Sequence, residues 1–106
     1  MATDYGYEKF SGALNYAIGS TDSVQERLAN VASEVCHLER DSFPNDELWQ
    51  QFEVLMNATS GRAAKRDEGT IAATTCQMSN AEAAKWLRRA LSIFSDLAEA
   101  FGHGER

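Results

Sequence analysis

Apolar residues recur in steps of four and three along two separate stretches of this chain, and that spacing decides what it can fold into. Ala83, Leu87, Ala90, Phe94, Leu97 and Phe101 form one series, and Val24, Leu28, Val31, Val35 and Leu38 form another. At 3.6 residues per turn each series lines up on one side of an α-helix. A β-strand would throw alternate members to opposite faces. No segment shows the two-residue alternation of a half-buried strand, so the chain reads as all-α.

The remaining helices follow from weaker stripes and from punctuation. Phe10, Leu14, Ala17 and Ile18 mark a first helix that Gly19 should stop. Ser23 and Glu26 stand at capping-box spacing and open the second helix. Pro44 suits the first turn of a third helix, which carries Leu48, Phe52, Leu55, Met56 and Thr59 inward and ends at Gly61. Residues 60–69 read as the one substantial loop, followed by a short helix with Ile71, Thr75 and Met78 inward. Ser79 and Glu82 repeat the capping-box spacing, Met78 can staple onto Ala83, and Gly102 should close the last helix. Four longer helices and one short one, joined mostly by short loops, predict an antiparallel helical bundle. The expected domain spans residues 1–106, with 1–3 and 103–106 as flexible ends.

At 106 residues, 43% of them hydrophobic and only one of them proline, the chain has the size and make-up of one globular domain. Its apolar runs are too short to span a membrane. Met-Ala-Thr-Asp-Tyr offers neither the basic nor the apolar part of a secretory leader, so a cytoplasmic location is expected. Cys36 and Cys76 lie far apart, outside any Cys-x-x-Cys spacing, and read as two small buried hydrophobes rather than a redox pair.

Motifs that carry chemistry are absent from the sequence, with one partial match. Gly61 and Gly69 flank a basic run, but no Gly-Lys-Ser/Thr follows it, and Gly-x-Ser-x-Gly does not occur. Glu34 and His37 form a single Glu-x-x-His. A di-metal bundle needs a second copy and two further glutamates, so this pair reads as surface. Accordingly no catalytic residue, no cofactor and no metal are expected.

Charge is the feature that separates this chain from an anonymous bundle. Residues 1–61 hold ten acidic and three basic side chains, whereas residues 62–106 hold six and seven. Asp46, Gln50, Glu53 and Asn57 fall in steps of four, three and four, opposite the apolar stripe of the third helix, with Asp41 and Glu47 beside them. No lysine or arginine occurs between Asp41 and Gly61. Such a row is either the wet side of an amphipathic helix or a face that docks on a basic surface. The acidic balance argues against direct nucleic-acid binding, which needs cations to neutralise phosphates. The alternative is a regulatory or structural helical module, antitoxin-like or a small helix-turn-helix regulator, in which Arg62, Lys65, Arg66, Arg88 and Arg89 would matter instead. Trp49 is expected at the core edge, and Trp86, Ala90, Ile93 and Leu97 form a second apolar row suited to a centrally buried helix.

The run of caps and turns through Tyr16-Ala17-Ile18-Gly19, Ser23, Glu26-Arg27-Leu28, Asp41-Ser42-Phe43-Pro44, Glu47-Leu48, Glu68-Gly69-Thr70-Ile71, Met78-Ser79 and Glu82-Ala83 resembles small helical proteins of bacteria and their phages. In size, acidity, helical content and lack of catalytic motifs the chain also resembles phage-encoded anti-CRISPR proteins, including those that act on type I-E systems. That resemblance implies a non-enzymatic inhibitor in the bacterial host cytoplasm, acting by binding a CRISPR-Cas effector subunit or its nuclease. It transfers no functional residue, because that group shares no common motif. The candidate protein-binding residues therefore rest on charge alone: Asp41, Asp46, Glu47, Gln50, Glu53 and Asn57.

Overall fold

Five α-helices and one short 3₁₀ turn account for the secondary structure of residues 2–61 and 67–104, which are the residues described by the structure, a computed structural model. Side-chain placement is described for 5–61 and 67–100. In chain order the helices are α1 (Ala2–Gly19), α2 (Val24–Val35), α3 (Asp46–Ser60), α4 (Glu68–Thr75) and α5 (Asn80–Gly104), with the 3₁₀ turn at Arg40–Ser42. There is no strand among the described residues, so the fold is all-helical, with four longer helices and one short one.

Local chemistry sets most boundaries. Ser23 Oγ accepts the Glu26 amide at 3.1 Å while the Glu26 carboxylate accepts the Ser23 amide at 3.2 Å, the reciprocal pairing of a capping box. At the head of α5 Ser79 Oγ accepts the Glu82 amide at 3.1 Å, and Met78 packs with Ala83 and Leu28. Gln25 links these two starts, donating to Met78 O and to Asn80 Oδ1 at 2.9 Å each. Gly61 closes α3 at φ 65°, a left-handed conformation that a residue with a Cβ adopts only at a cost.

Five details differ from expectation. The cap of α3 is Asn45, not Pro44: Asn45 Oδ1 accepts the Leu48 amide at 2.9 Å, satisfying a donor that a proline ring cannot. Helix α2 stops at Val35, so Leu38 is buried from the turn that follows rather than from the helix. Ile18 lies roughly 90° around α1 from the centre of the Phe10, Ala13, Leu14 and Ala17 stripe, and it is 79% exposed. Helix α5 continues through Gly102 to Gly104. Of the two cysteines only Cys36 is buried; Cys76 is exposed at the end of α4.

The core forms where α5 crosses between the others, in contact with α1, α2 and α3. Its buried residues are Ala83, Ala90, Ile93 and Leu97, with Trp86, Leu87 and Phe94 half-buried against the same core. The centre therefore draws on both expected rows: Ala90 and Leu97, which the two share, with Ala83 from the first and Ile93 from the second. Phe52 of α3 anchors an aromatic cluster with Phe43, Trp49 and Phe10, at ring-centroid distances of 4.8, 5.5 and 6.4 Å. Trp49 sits at the core edge as expected. The buried hydroxyls of α3 bond within their own helix: Thr59 Oγ1 donates to Leu55 O at 3.0 Å and Ser60 Oγ to Met56 O at 2.6 Å.

One glycine fixes how α1 meets the 3₁₀ turn. A Cβ on Gly6 would lie 2.8 Å from the backbone oxygen of Ser42, inside van der Waals contact. Glycine to alanine in a helix interior ordinarily gains about 1 kcal/mol. Here the clash is with backbone, which cannot swing aside, and overpacking of this kind costs about 1–3 kcal/mol. Gly6→Ala is therefore expected to lower the urea midpoint; a raised midpoint would show that the two segments part without cost.

Candidate functional site

The acidic segment begins at the junction of the 3₁₀ turn and α3. Arg40, immediately before the base-free stretch, donates from Nε at 3.0 Å and from Nη2 at 2.6 Å to Asp46 Oδ1, and from Nη1 at 2.8 Å to Phe43 O. This clamp straps the turn to the first residue of α3 and neutralises one member of the predicted stripe. Both side chains are well exposed, so the pair contributes little to stability. Asp46 and Glu47 also lie in the first turn of α3, where the helix dipole favours carboxylates.

The six predicted residues do not share one environment. Asp41, Asp46, Glu47 and Gln50 are exposed, whereas Glu53 and Asn57 are half-buried and engaged by other groups. The most exposed row of α3 runs Glu47, Gln50, Val54, so the stripe rotates out of the acidic register after its first two turns. Val54 is 50% exposed.

Glu47 instead faces a second acidic element. An open cleft of about 520 Å³ between α3 and α5 is lined by Asn45, Glu47, Leu48, Gln51, Asp96, Glu99 and Ala100. Three carboxylates and two amides meet there, with no basic residue in the lining. Asp96 and Glu99 stand three apart on α5, hence on one face of that helix, and sequence reasoning missed them. Their i, i+3 spacing was visible, but only the packing of α3 on α5 shows that the pair joins Glu47.

Other cavities lie elsewhere, among them one of about 290 Å³ lined by Tyr5, His37, Leu38, Glu39, Asp41 and Ser42, which places Asp41 outside the acidic cleft. A groove of about 550 Å³ between α1 and α2 is lined by Glu8, Lys9, Gly12, Ala13, Tyr16, Asn30 and Glu34. Its charges are mixed, with Lys9 Nζ 3.7 Å from Glu34 Oε1. A smaller apolar groove of about 170 Å³ lies between α1, α2 and α5. The Glu34 and His37 pair is split by the end of α2 at Val35, so the two are not held in helical register. Among the described residues no group of three or more His, Cys, Asp and Glu side chains is arranged to hold a metal ion. Among them, too, no helix is long and apolar enough to cross a membrane. The loop cations Arg62, Lys65 and Arg66 lie outside the described residues; Arg88 and Arg89 are exposed on α5, and Lys85 Nζ sits 4.9 Å from the centroid of the Trp86 ring.

What this arrangement can do chemically is attract positive charge over an area wider than one side chain. No protein family, no curated protein and no solved structure matches the chain.

Proposed function

We propose that this protein is a non-catalytic binding module that docks a basic surface of another protein onto the acidic face formed by α3 and α5. The observation that carries the reading is the cleft in which Glu47, Asp96 and Glu99 converge without a basic neighbour in the lining. A partner that brings lysines or arginines to this face gains on-rate and orientation more than raw affinity. The resemblance to anti-CRISPR proteins supplies the specific form of the proposal: stoichiometric inhibition of a CRISPR-Cas effector subunit or its nuclease, without turnover.

Tagged protein is expected to retain one predominant partner, in a fixed ratio, from bacterial lysate containing type I effector complexes. Expression of the untagged chain should restore plaque formation by a phage that those complexes target. A retained partner without restored plaques would remove the anti-CRISPR form and leave the binding module. Failure to retain any partner from several such lysates would overturn the reading as a whole.

A further inference from the structure

The apolar groove between α1, α2 and α5 stands apart from the acidic cleft in both chemistry and sign. Its lining is Leu14, Ala17 and Ile18 of α1, Arg27 of α2, and Leu87, Arg88 and Leu91 of α5. Leu14 and Ala17 are buried and form a floor, while Ile18 is 79% and Leu91 49% exposed, as rims. Ile18 and Leu91 rim one groove from facing helices, so with Leu87 they make a contiguous apolar patch rather than singly scattered exposed side chains. Leu87 and Leu91 lie one turn apart on α5, which continues its apolar face past the core toward Ile18.

Two arginines and no carboxylate edge this patch on a chain of net charge −6. Arg27 donates its Nε to the backbone oxygen of Asp22 at 3.1 Å, and among the described residues neither Arg27 nor Arg88 makes an ion pair. That pattern decides between occupants. A second copy related by a two-fold axis would set the same arginine-edged patch against itself, at a repulsive cost. A head-to-tail copy would offer the acidic cleft, whose apolar lining is only the buried Leu48 and the small, half-buried Ala100 and cannot fill an aliphatic groove. A nucleic acid would find two cations over an apolar floor, too few for phosphate neutralisation. We infer that the groove receives an amphipathic segment of a different protein, one that presents large aliphatic side chains flanked by carboxylates. This is the helix-in-groove mode of recognition, and it is independent of the acidic-cleft reading, since the two surfaces select partners of opposite charge.

The test uses a fluorescently labelled peptide of about four helical turns, with leucines at i, i+4 and i+7 flanked by glutamates, and a second in which every glutamate is glutamine. Anisotropy should report saturable one-to-one binding of the glutamate peptide and roughly tenfold weaker binding of the glutamine peptide. Leu91→Ser should weaken both peptides by roughly tenfold without changing helical content. Arg88→Glu should weaken the glutamate peptide and leave the glutamine peptide unchanged, a split that a merely structural role for Arg88 would not produce. Absence of saturable binding would overturn the inference, and so would binding that neither substitution alters. A dimer of the free protein in sedimentation, dissolved by Leu91→Ser, would overturn it too by assigning the groove to a second copy.

Discussion

Phe52→Ala is expected to remove about 3–5 kcal/mol of folding stability, the range for a buried aromatic truncated to alanine. Phe52 is fully buried and touches Phe10, Phe43 and Trp49, so its loss opens a cavity where α1, α3 and the 3₁₀ turn meet. Against a typical total of about 5–15 kcal/mol, such a loss brings the domain close to unfolding. Urea denaturation followed by far-UV circular dichroism should show a much lower midpoint with little change in slope. A shift smaller than about 1 kcal/mol would mean that the aromatic cluster collapses around the gap, and that the core is held mainly by the α5 row.

The second large effect concerns binding. Reversing Glu47 and Glu99 to lysine replaces two of the three carboxylates lining the cleft, both exposed, and should leave helical content intact. The association rate with the basic partner should fall by one to two orders of magnitude, roughly the span between steered and unsteered encounter at low salt. Raising the ionic strength should slow the wild type steeply and the variant hardly at all, because exposed charges are screened within a Debye length of about 10 Å at 0.1 M salt. Equal salt slopes for the two proteins would show that the cleft does not steer the encounter.

How far the residues foretold all this depends on which interactions are local. The helices, the Ser23 capping box and the Gly61 stop depend on neighbours within one turn, and the spacing of apolar and capping residues shows them directly. Asn45 was overlooked because Pro44 satisfies one rule for a helix start while asparagine satisfies a stronger one, a side-chain acceptor for an orphan amide. The centre of α5 takes Ala83, Ala90 and Leu97 from the expected principal stripe and Ile93 from the row beside it, because a face wide enough to meet three helices has no single stripe. The candidate site was only half legible. Asp46, Glu47 and Gln50 are exposed as a charged row should be, whereas Glu53 and Asn57 turn into a half-buried flank. Asp96 and Glu99 join the site through tertiary packing, and no periodicity on one helix can register that. The Arg40 clamp on Asp46 is likewise invisible to a search confined to the base-free segment, since the cation stands just outside it.

The apolar groove and the acidic cleft give the chain two surfaces of opposite sign that share no lining residue. Substitutions at Leu91 and Arg88 address one, and substitutions at Glu47 and Glu99 the other.

The central claim is that the α3–α5 face, rather than the acidity of the whole chain, holds the partner. A calorimetric titration of the retained partner tests it most directly, using three proteins: the wild type, the Glu47→Lys/Glu99→Lys variant and a Glu8→Lys/Glu34→Lys control with the same change in net charge. Glu8 and Glu34 line the α1–α2 groove instead of the cleft. Expected are one-to-one binding by the wild type, binding by the control within about threefold of it, and roughly ten- to a hundredfold weaker binding by the cleft variant, in line with its loss of association rate. Equal weakening by the two variants would show that net charge alone is being read and would contradict the account.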